Sequence, residues 1–532
     1  MKPTFTILAL FLLTNALAQR VQYTQPEKGY NSYANYDIIG HVGRHNLIFI
    51  KGDEGAEIAV YDDAMQKLAR VPANILGATA SKVDFVAYTD HFLAFFQYKS
   101  RTAYYCAAFK GDADGRVVEG PVILDSIPSV EKYDWQYRLG ANETKLTHPA
   151  FILLHSENKQ WYMLVKSVQQ ENGAYQTSTV LYGRDLEPLD RSSFTYFPPA
   201  NFSECSEFIL DNDGDLAFAG IGRNEEGERV RRAKLLIKTR GADSLSSVDL
   251  SGPGMELEDL RLKVDNDNRR YILTSFYYAP GAKNLTGLCN MIWEKPAKIL
   301  VGPSLNPLPQ DVRNEVITNF SNPAQLLDYF YLRQILVLSD GGFMVLAELF
   351  HETLVDRGLP YWGLPWKRDD FIRGKKDMIF TPPQGFLSYD ASENPGFWST
   401  SPFKENIKDT YQGDSRSTEN VLVFIMNKAG KTSGIKVIRK YETSILGLLG
   451  LSFQTLITGE GVHLIYNEPV RERYLPTLTT IRADGTLEQG QVWHDLDMNP
   501  FFFPLYGKQV GPNTMIIPCE IKKTLCFARV EY

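Results

Sequence analysis

A short, nearly unbroken apolar segment recurs eight times in this 532-residue chain and constrains its fold more than any other feature. The segments begin at Asn46 (NLIFI), Phe92 (FLAFF), Trp161 (WYMLV), Asp215 (DLAFA), Tyr271 (YILTS), Phe343 (FMVLA), Val462 (VHLIY) and Thr514 (TMIIP), so their starts lie 46, 69, 54, 56, 72, 119 and 52 residues apart. Runs of Val, Ile, Phe, Tyr and Ala bounded by turn residues read as strands. A period of about fifty residues in such a chain means one supersecondary unit stacked on copies of itself. The second repeat shows the unit in full: KVDFVAYT, HFLAFFQY, TAYYCAAFK, the turn GDADG, then RVVEGPVIL. That is four consecutive antiparallel strands, and apolar residues at almost every position predict strands covered on both faces.

The first residues have the plan of a signal peptide over residues 1–18: Lys2, the apolar run Phe5–Leu13 and the small-residue site Ala16-Leu17-Ala18. Cleavage there is expected to leave Gln19 first and a mature chain in the periplasm or outside the cell. The longest later apolar stretch, Ile445–Phe453, falls well short of the ~20 residues of a membrane helix, so an integral membrane protein is not expected. Loss of residues 1–18 removes one Lys and moves the net charge from −7 to −8. A chain this acidic does not present the basic surface of a nucleic-acid binder. Its densest basic run, Arg229–Lys234, follows Glu225, Glu226 and Glu228 and reads as a hairpin with cross-strand charge pairs.

Five Cys without a C-x-x-C exclude a disulfide-dense scaffold and the usual zinc spacings. Cys519 and Cys526, in CEIKKTLC, face each other if Lys522-Lys523 is a two-residue turn, which makes them the candidate disulfide. Lys-Lys is a poor residue pair for such a turn, and two buried thiols are the alternative. Cys106, Cys205 and Cys289 read as core. No metal or other cofactor is expected. Asp211-Asn212-Asp213-Gly214-Asp215 resembles the start of a calcium loop, but the Gly falls fourth and no Glu closes the loop, so a tight turn between strands is the reading. Asp112–Gly115 and Asp265–Asn268 read the same way. His351-Glu352 has no His at 355, and His41 and His45 lie in strand and turn, where a spacing of four brings no convergence. Gly413-Asp414-Ser415 lacks both an α/β context and a later D-x-x-H block, and a G-x-S-x-G elbow is missing.

One repeat is interrupted: residues 350–418 stand between its second and third strands. They hold three of the seven Trp and twelve aromatics in 69 residues, with Pro360, Pro365, Pro382, Pro383, Pro395 and Pro402. This composition predicts a stiff, packed flap. Within it Tyr361, Trp362, Trp366, Arg368 and Trp398 are the candidate ligand-binding residues, since Trp, Tyr and Arg dominate binding hot spots. Glu352, Asp356, Asp369 and Asp370 are its candidate acids.

Across residues 30–532 the repeat plan resembles the β-propeller superfamily in the style of divergent exported bacterial proteins, without WD40, kelch or sialidase motifs. The resemblance implies an all-β ring of seven or eight four-stranded blades over residues 19–532. The last blade stops early, and the stretch Arg20–Thr24 is expected to supply its outer strand. The alternative is two tandem β-sandwiches joined through Gly302–Pro309. Two functions follow: a non-catalytic binding or scaffolding protein that grips a protein or glycan through the face carrying the insertion, placed first, and a propeller-type glycoside hydrolase or lyase using carboxylates from different blades. A purely structural repeat with a tethered flap is the third.

Overall fold

A computed structural model describes residues 20–532 apart from 31–34, 53–54, 77–79, 129–150, 170–174, 197–201, 206–207, 224–228, 253–254, 317–326, 328, 354–414, 445–449, 471–472, 483, 494–495 and 497. Among these residues the chain forms eight successive antiparallel blades over 35–72, 80–128, 152–196, 202–249, 256–307, 330–438, 454–492 and 501–531. Each recurring segment forms the second strand of its blade, from His45–Gly52 in blade 1 to Thr514–Ile521 in blade 8. Fourth strands such as Lys67–Pro72 and Val117–Pro128 are mostly exposed, so they lie outermost and the first strands innermost.

The unbroken apolarity has a geometric cause. Side chains alternate between the two faces of a strand, and here both faces meet another blade. Leu47 and Phe49 pack into the core shared by blades 1 and 2, whereas Ile48 and Ile50 pack into the core shared by blades 1 and 8. Eight such clusters join successive blades. The one that sets Tyr36 and Ile38 against Ile516 and Phe527 closes the ring.

The chain ends complete that closure. Arg20–Tyr23 pairs with Thr524–Glu531, from Arg20 opposite Glu531 to Tyr23 opposite Ala528, and so supplies the outer strand of blade 8. Beyond it Thr24 exchanges hydrogen bonds with Phe527, its N–H donating to the Phe527 carbonyl at 2.9 Å and its Oγ1 accepting from the Phe527 N–H at 3.1 Å. The molecule is a single eight-bladed β-propeller. The tandem-sandwich alternative fails at its linker, because Ile299–Pro307 is the outer strand of blade 5, paired along Gly287–Glu294.

The hairpin-turn face is stapled blade to blade. The turn between third and fourth strands of one blade reaches the turn between first and second strands of the preceding one. Arg184 lies 4.3 Å over the Tyr88 ring and Arg240 lies 4.4 Å over the Trp161 indole. On the other face, that of the crossovers between blades, Arg229 and Arg231 bridge to Glu256 at 2.5 and 2.9 Å, across the seam into blade 5; Glu225, Glu226 and Glu228, their expected partners, lie outside the described residues. Arg229 and Arg231 begin the third strand and Glu256 the first strand of the next blade, so the crossover between blades brings them together.

The crossover face also carries the insertion. The ladder of blade 6 runs past the expected boundary, with His351 opposite Ser417 and Thr353 opposite Ser415, so the two roots leave the ring as paired strands. Tyr361, Trp362, Trp366, Arg368 and Trp398, with Asp356, Asp369 and Asp370, lie outside the described residues. No helix among the described residues is long and apolar enough to cross a membrane.

Candidate active site

Because the recurring segments are equivalent, the fourth residue of each marks one level around the ring. Opposite it on the innermost strands stand Asp37 (facing Phe49), Asp84 (Phe95), Leu153 (Leu164), Arg261 (Thr274), Gln334 (Leu346) and Gln454 (Ile465). A polar residue thus occupies this level in blades 1, 2, 5, 6 and 7. Two of these residues are carboxylic acids on neighbouring blades.

Asp37 and Asp84 are 3% and 2% exposed. Burial pushes the Asp37 carboxyl up to about 8; the Lys508 ammonium opposes this and the charge of Asp84 adds to it. Asp37 therefore keeps its proton at neutral pH. Lys508, in the strand Lys508–Gly511 of blade 8, is itself buried and donates to the Ile39 carbonyl at 3.3 Å, two residues along from Asp37. Three adjacent blades thus bring a protonated carboxyl, a second carboxyl and an ammonium to one side of the ring. Two carboxyl groups brought together from neighbouring blades, one of them holding its proton, supply the residue types that a general acid with a base or nucleophile needs.

A second charged centre ties the roots of the insertion to blade 7. Lys440 Nζ stands 2.8 Å from Glu348 Oε1 and 2.5 Å from Glu442 Oε2, all three side chains wholly buried, and Arg333 approaches Glu348 at 3.3 Å. Glu442 also accepts from the Thr418 hydroxyl, from the Ser452 N–H at 2.8 Å and, through Oε1, from the Asn467 N–H at 2.9 Å. Burial pushes the Glu442 carboxyl up while Lys440 pulls it down; the two carboxylates hold the Lys440 ammonium above the usual lysine range against burial. With its acceptors this well matched, the centre reads as structural.

The Asp211–Asp215 turn does gather its carboxylates, with one oxygen from each of Asp211, Asp213 and Asp215 within 4.8 Å of the others. What fills the centre is Lys295, delivered by the turn between third and fourth strands of blade 5. Its Nζ contacts Asp211, lies 2.8 Å from Asp213 and 3.1 Å from Asp215, and the Tyr271 hydroxyl donates to Asp211 at 2.6 Å. Burial works against its charge, yet the three acids push Lys295 up to about 12. The ammonium takes the place that a hard cation takes in a calcium loop. Lys295→Ala is accordingly expected to lose about 3 kcal/mol of stability and to regain part of it in millimolar calcium, with wild type indifferent to calcium. A variant whose melting temperature ignores calcium would show that the three oxygens do not hold together without the lysine.

The other marked residues have structural surroundings. His41 lies 3.4 Å from Asp63, and His45 bonds the Ala113 carbonyl at 2.9 Å, so the two imidazoles do not converge. Asp265 is buried against Arg270 at 2.7 Å, and Asp112 caps its own turn through the Arg116 N–H at 2.8 Å. Glu352 lies on the second strand of blade 6. Cys519 and Cys526 stand directly opposite in the last hairpin and are joined by a disulfide; Cys106 and Cys289 are buried. Asp37 and Asp84 were not among the acids singled out from sequence. Their only signal is a lone acid inside an apolar strand at the same register of two consecutive repeats.

No family model matches the chain, and no curated protein does. Among solved structures it is similar to a polysaccharide lyase of family PL25, an ulvan lyase, with 8% identity and a TM-score of 0.38 over 83% of this chain and 90% of the lyase. A prolyl endopeptidase gives 10% identity and 0.39 over 93% of this chain and 55% of the other. The arabinofuranosidase catalytic domain from Coprinopsis cinerea gives 10% and 0.24 over 54% and 89%. All three TM-scores lie below 0.5, and the functional reading rests on this chain's own residues.

Proposed function

We propose that the protein is a carbohydrate-active enzyme of the periplasm or cell exterior, a glycoside hydrolase or lyase that uses carboxyl groups from neighbouring blades. The observation that carries this reading is Asp37, kept protonated at neutral pH beside Asp84 of the next blade. In a hydrolase, Asp37 gives its proton to the leaving glycosidic oxygen while Asp84 serves as base or nucleophile. In a lyase the same pair removes a ring proton and protonates the leaving oxygen. Asp37 is the third residue of Asn35–Val42, the strand that enters the ring from the face on which the insertion is rooted.

The test is to incubate the protein with a panel of neutral and acidic polysaccharides and follow chain shortening against pH. The proton on Asp37 is present below about 8 and lost above it, so cleavage is expected to hold up to that pH and then fall by about tenfold per pH unit. Cleavage of no glycan, or a rate that climbs through that range, ends the reading. Binding without shortening would return the protein to the non-catalytic alternative.

A further inference from the structure

An acid that donates its proton during turnover must also take it back. Asp37 is nearly fully buried, and burial alone drives a carboxyl towards permanent protonation. Such a group can neither release a proton nor cycle. The innermost strands bring one compensating cation to it: Lys508 crosses from blade 8 and anchors its Nζ on the Ile39 carbonyl, on the same strand as Asp37. The side chain is 7% exposed, so its charge acts at short range with little water to screen it.

We propose that Lys508 is the positioning residue that keeps the proton of Asp37 exchangeable, by holding an ammonium against the inner strand of blade 1 on the side away from Asp84. The inference rests on the acid-pair reading for its catalytic meaning, while its electrostatic content stands apart from any substrate. Among the described residues, the titratable groups that act on Asp37 are Lys508 from blade 8 and Asp84 from blade 2, and Tyr36 stands beside it in the chain. Of these Lys508 alone carries a charge that favours the ionised carboxyl, and a hydrogen bond with the Ile38 backbone adds to it. Asp84 and the burial of the site oppose it. No group is consumed: Asp37 passes its proton to the leaving oxygen and becomes a carboxylate held near the ammonium, Asp84 takes the proton of the attacking water, and the cycle closes when Asp84 releases that proton to solvent and Asp37 takes one back from solvent.

The experiment is carbon-13 NMR titration of the Asp37 carboxyl in the full chain, its signal assigned by loss in Asp37→Asn. Three variants are compared with wild type. Lys508→Met removes charge and hydrogen bond together, Lys508→Gln keeps a donor for the Ile39 carbonyl without charge, and Lys508→Arg keeps the charge. The midpoint is expected to rise by about one pH unit or more in Lys508→Met and Lys508→Gln and to stay within about half a unit in Lys508→Arg. Should Lys508→Met not fold, Lys508→Gln decides. A midpoint in folded Lys508→Gln that matches wild type overturns the proposal. The two readings fail separately: a moved midpoint in a protein that cleaves no glycan removes the enzyme and leaves the electrostatic role, and a fixed midpoint in an active enzyme removes only the role of Lys508.

Discussion

Asp84→Asn is expected to lower glycan cleavage by about 10²- to 10⁴-fold in a chain that still folds, the range spanned by loss of a positioned acid or base. The substitution keeps the shape of the side chain and removes only the charge. It should also move the pH limit of the residual activity downwards, because the Asp84 charge is one of the influences that hold the proton on Asp37. Asp37→Asn should fail differently. The group it replaces is already neutral at pH 7, so the amide sits in the same buried space at small cost in stability, while the proton for the leaving oxygen is gone. Substrates whose leaving group needs no proton, such as aryl glycosides, are then expected to suffer far less than natural glycans. Cleavage within about threefold of wild type in both variants, with urea midpoints unchanged, would show that the pair is only a buried structural feature.

The architecture was legible in the sequence because a propeller strand is short, apolar on both faces and repeated, so that NLIFI and FLAFF announce themselves without knowledge of their partners. Ring closure was legible for a related reason: the last repeat visibly lacked a strand and Arg20–Thr24 was available to supply it. The hairpin at Cys519 and Cys526 was less so. Lys522 and Lys523 both take positive φ, 51° and 65°, the conformation of a primed turn that glycine or asparagine usually fills. The surrounding ladder therefore imposes a geometry that neither residue favours. The convergence of Asp211, Asp213 and Asp215 could be suspected from spacing, but Lys295, eighty residues further on, could not. Asp37 and Asp84 stayed hidden for the same reason: an acid inside an apolar strand declares its burial, while its partner is fixed by the adjacency of blades. Glu348 carries that same mark, alone inside FMVLAELF. Lys440 and Glu442, in RKYETS, look like solvated charges and are wholly buried.

Lys440→Met is expected to cost about 3–5 kcal/mol of stability, a large share of what a folded chain has to spare. Lys440 is the cation that stands between Glu348 and Glu442, and without it two carboxylates face each other inside the seam of blades 6 and 7. Arg333 approaches the Glu348 carboxylate, at 3.3 Å. Glu442 would keep its acceptances from Thr418, Ser452 and Asn467, which hydrogen-bond the charge without neutralising it. The loss should be largest at neutral pH and shrink in acid, where protonation relieves the stranded carboxylates. The double variant Lys440→Met with Glu442→Gln removes both partners and is expected to recover much of the loss, since replacing a buried pair is far cheaper than breaking one. Urea unfolding of the wild type, the two single variants and the double variant completes the cycle, and a coupling below about 0.5 kcal/mol would mean that the lysine and Glu442 act independently. A strong coupling has a consequence for the face above. Glu348 and Thr418 lie on the two strands that lead into and out of residues 354–414, whereas Ser452 stands just before blade 7 and Asn467 lies within it. Breaking the centre should therefore loosen the base of the insertion before it loosens the ring, so proteolysis in Lys440→Met is expected to begin at the roots of the insertion while the eight-blade disc persists.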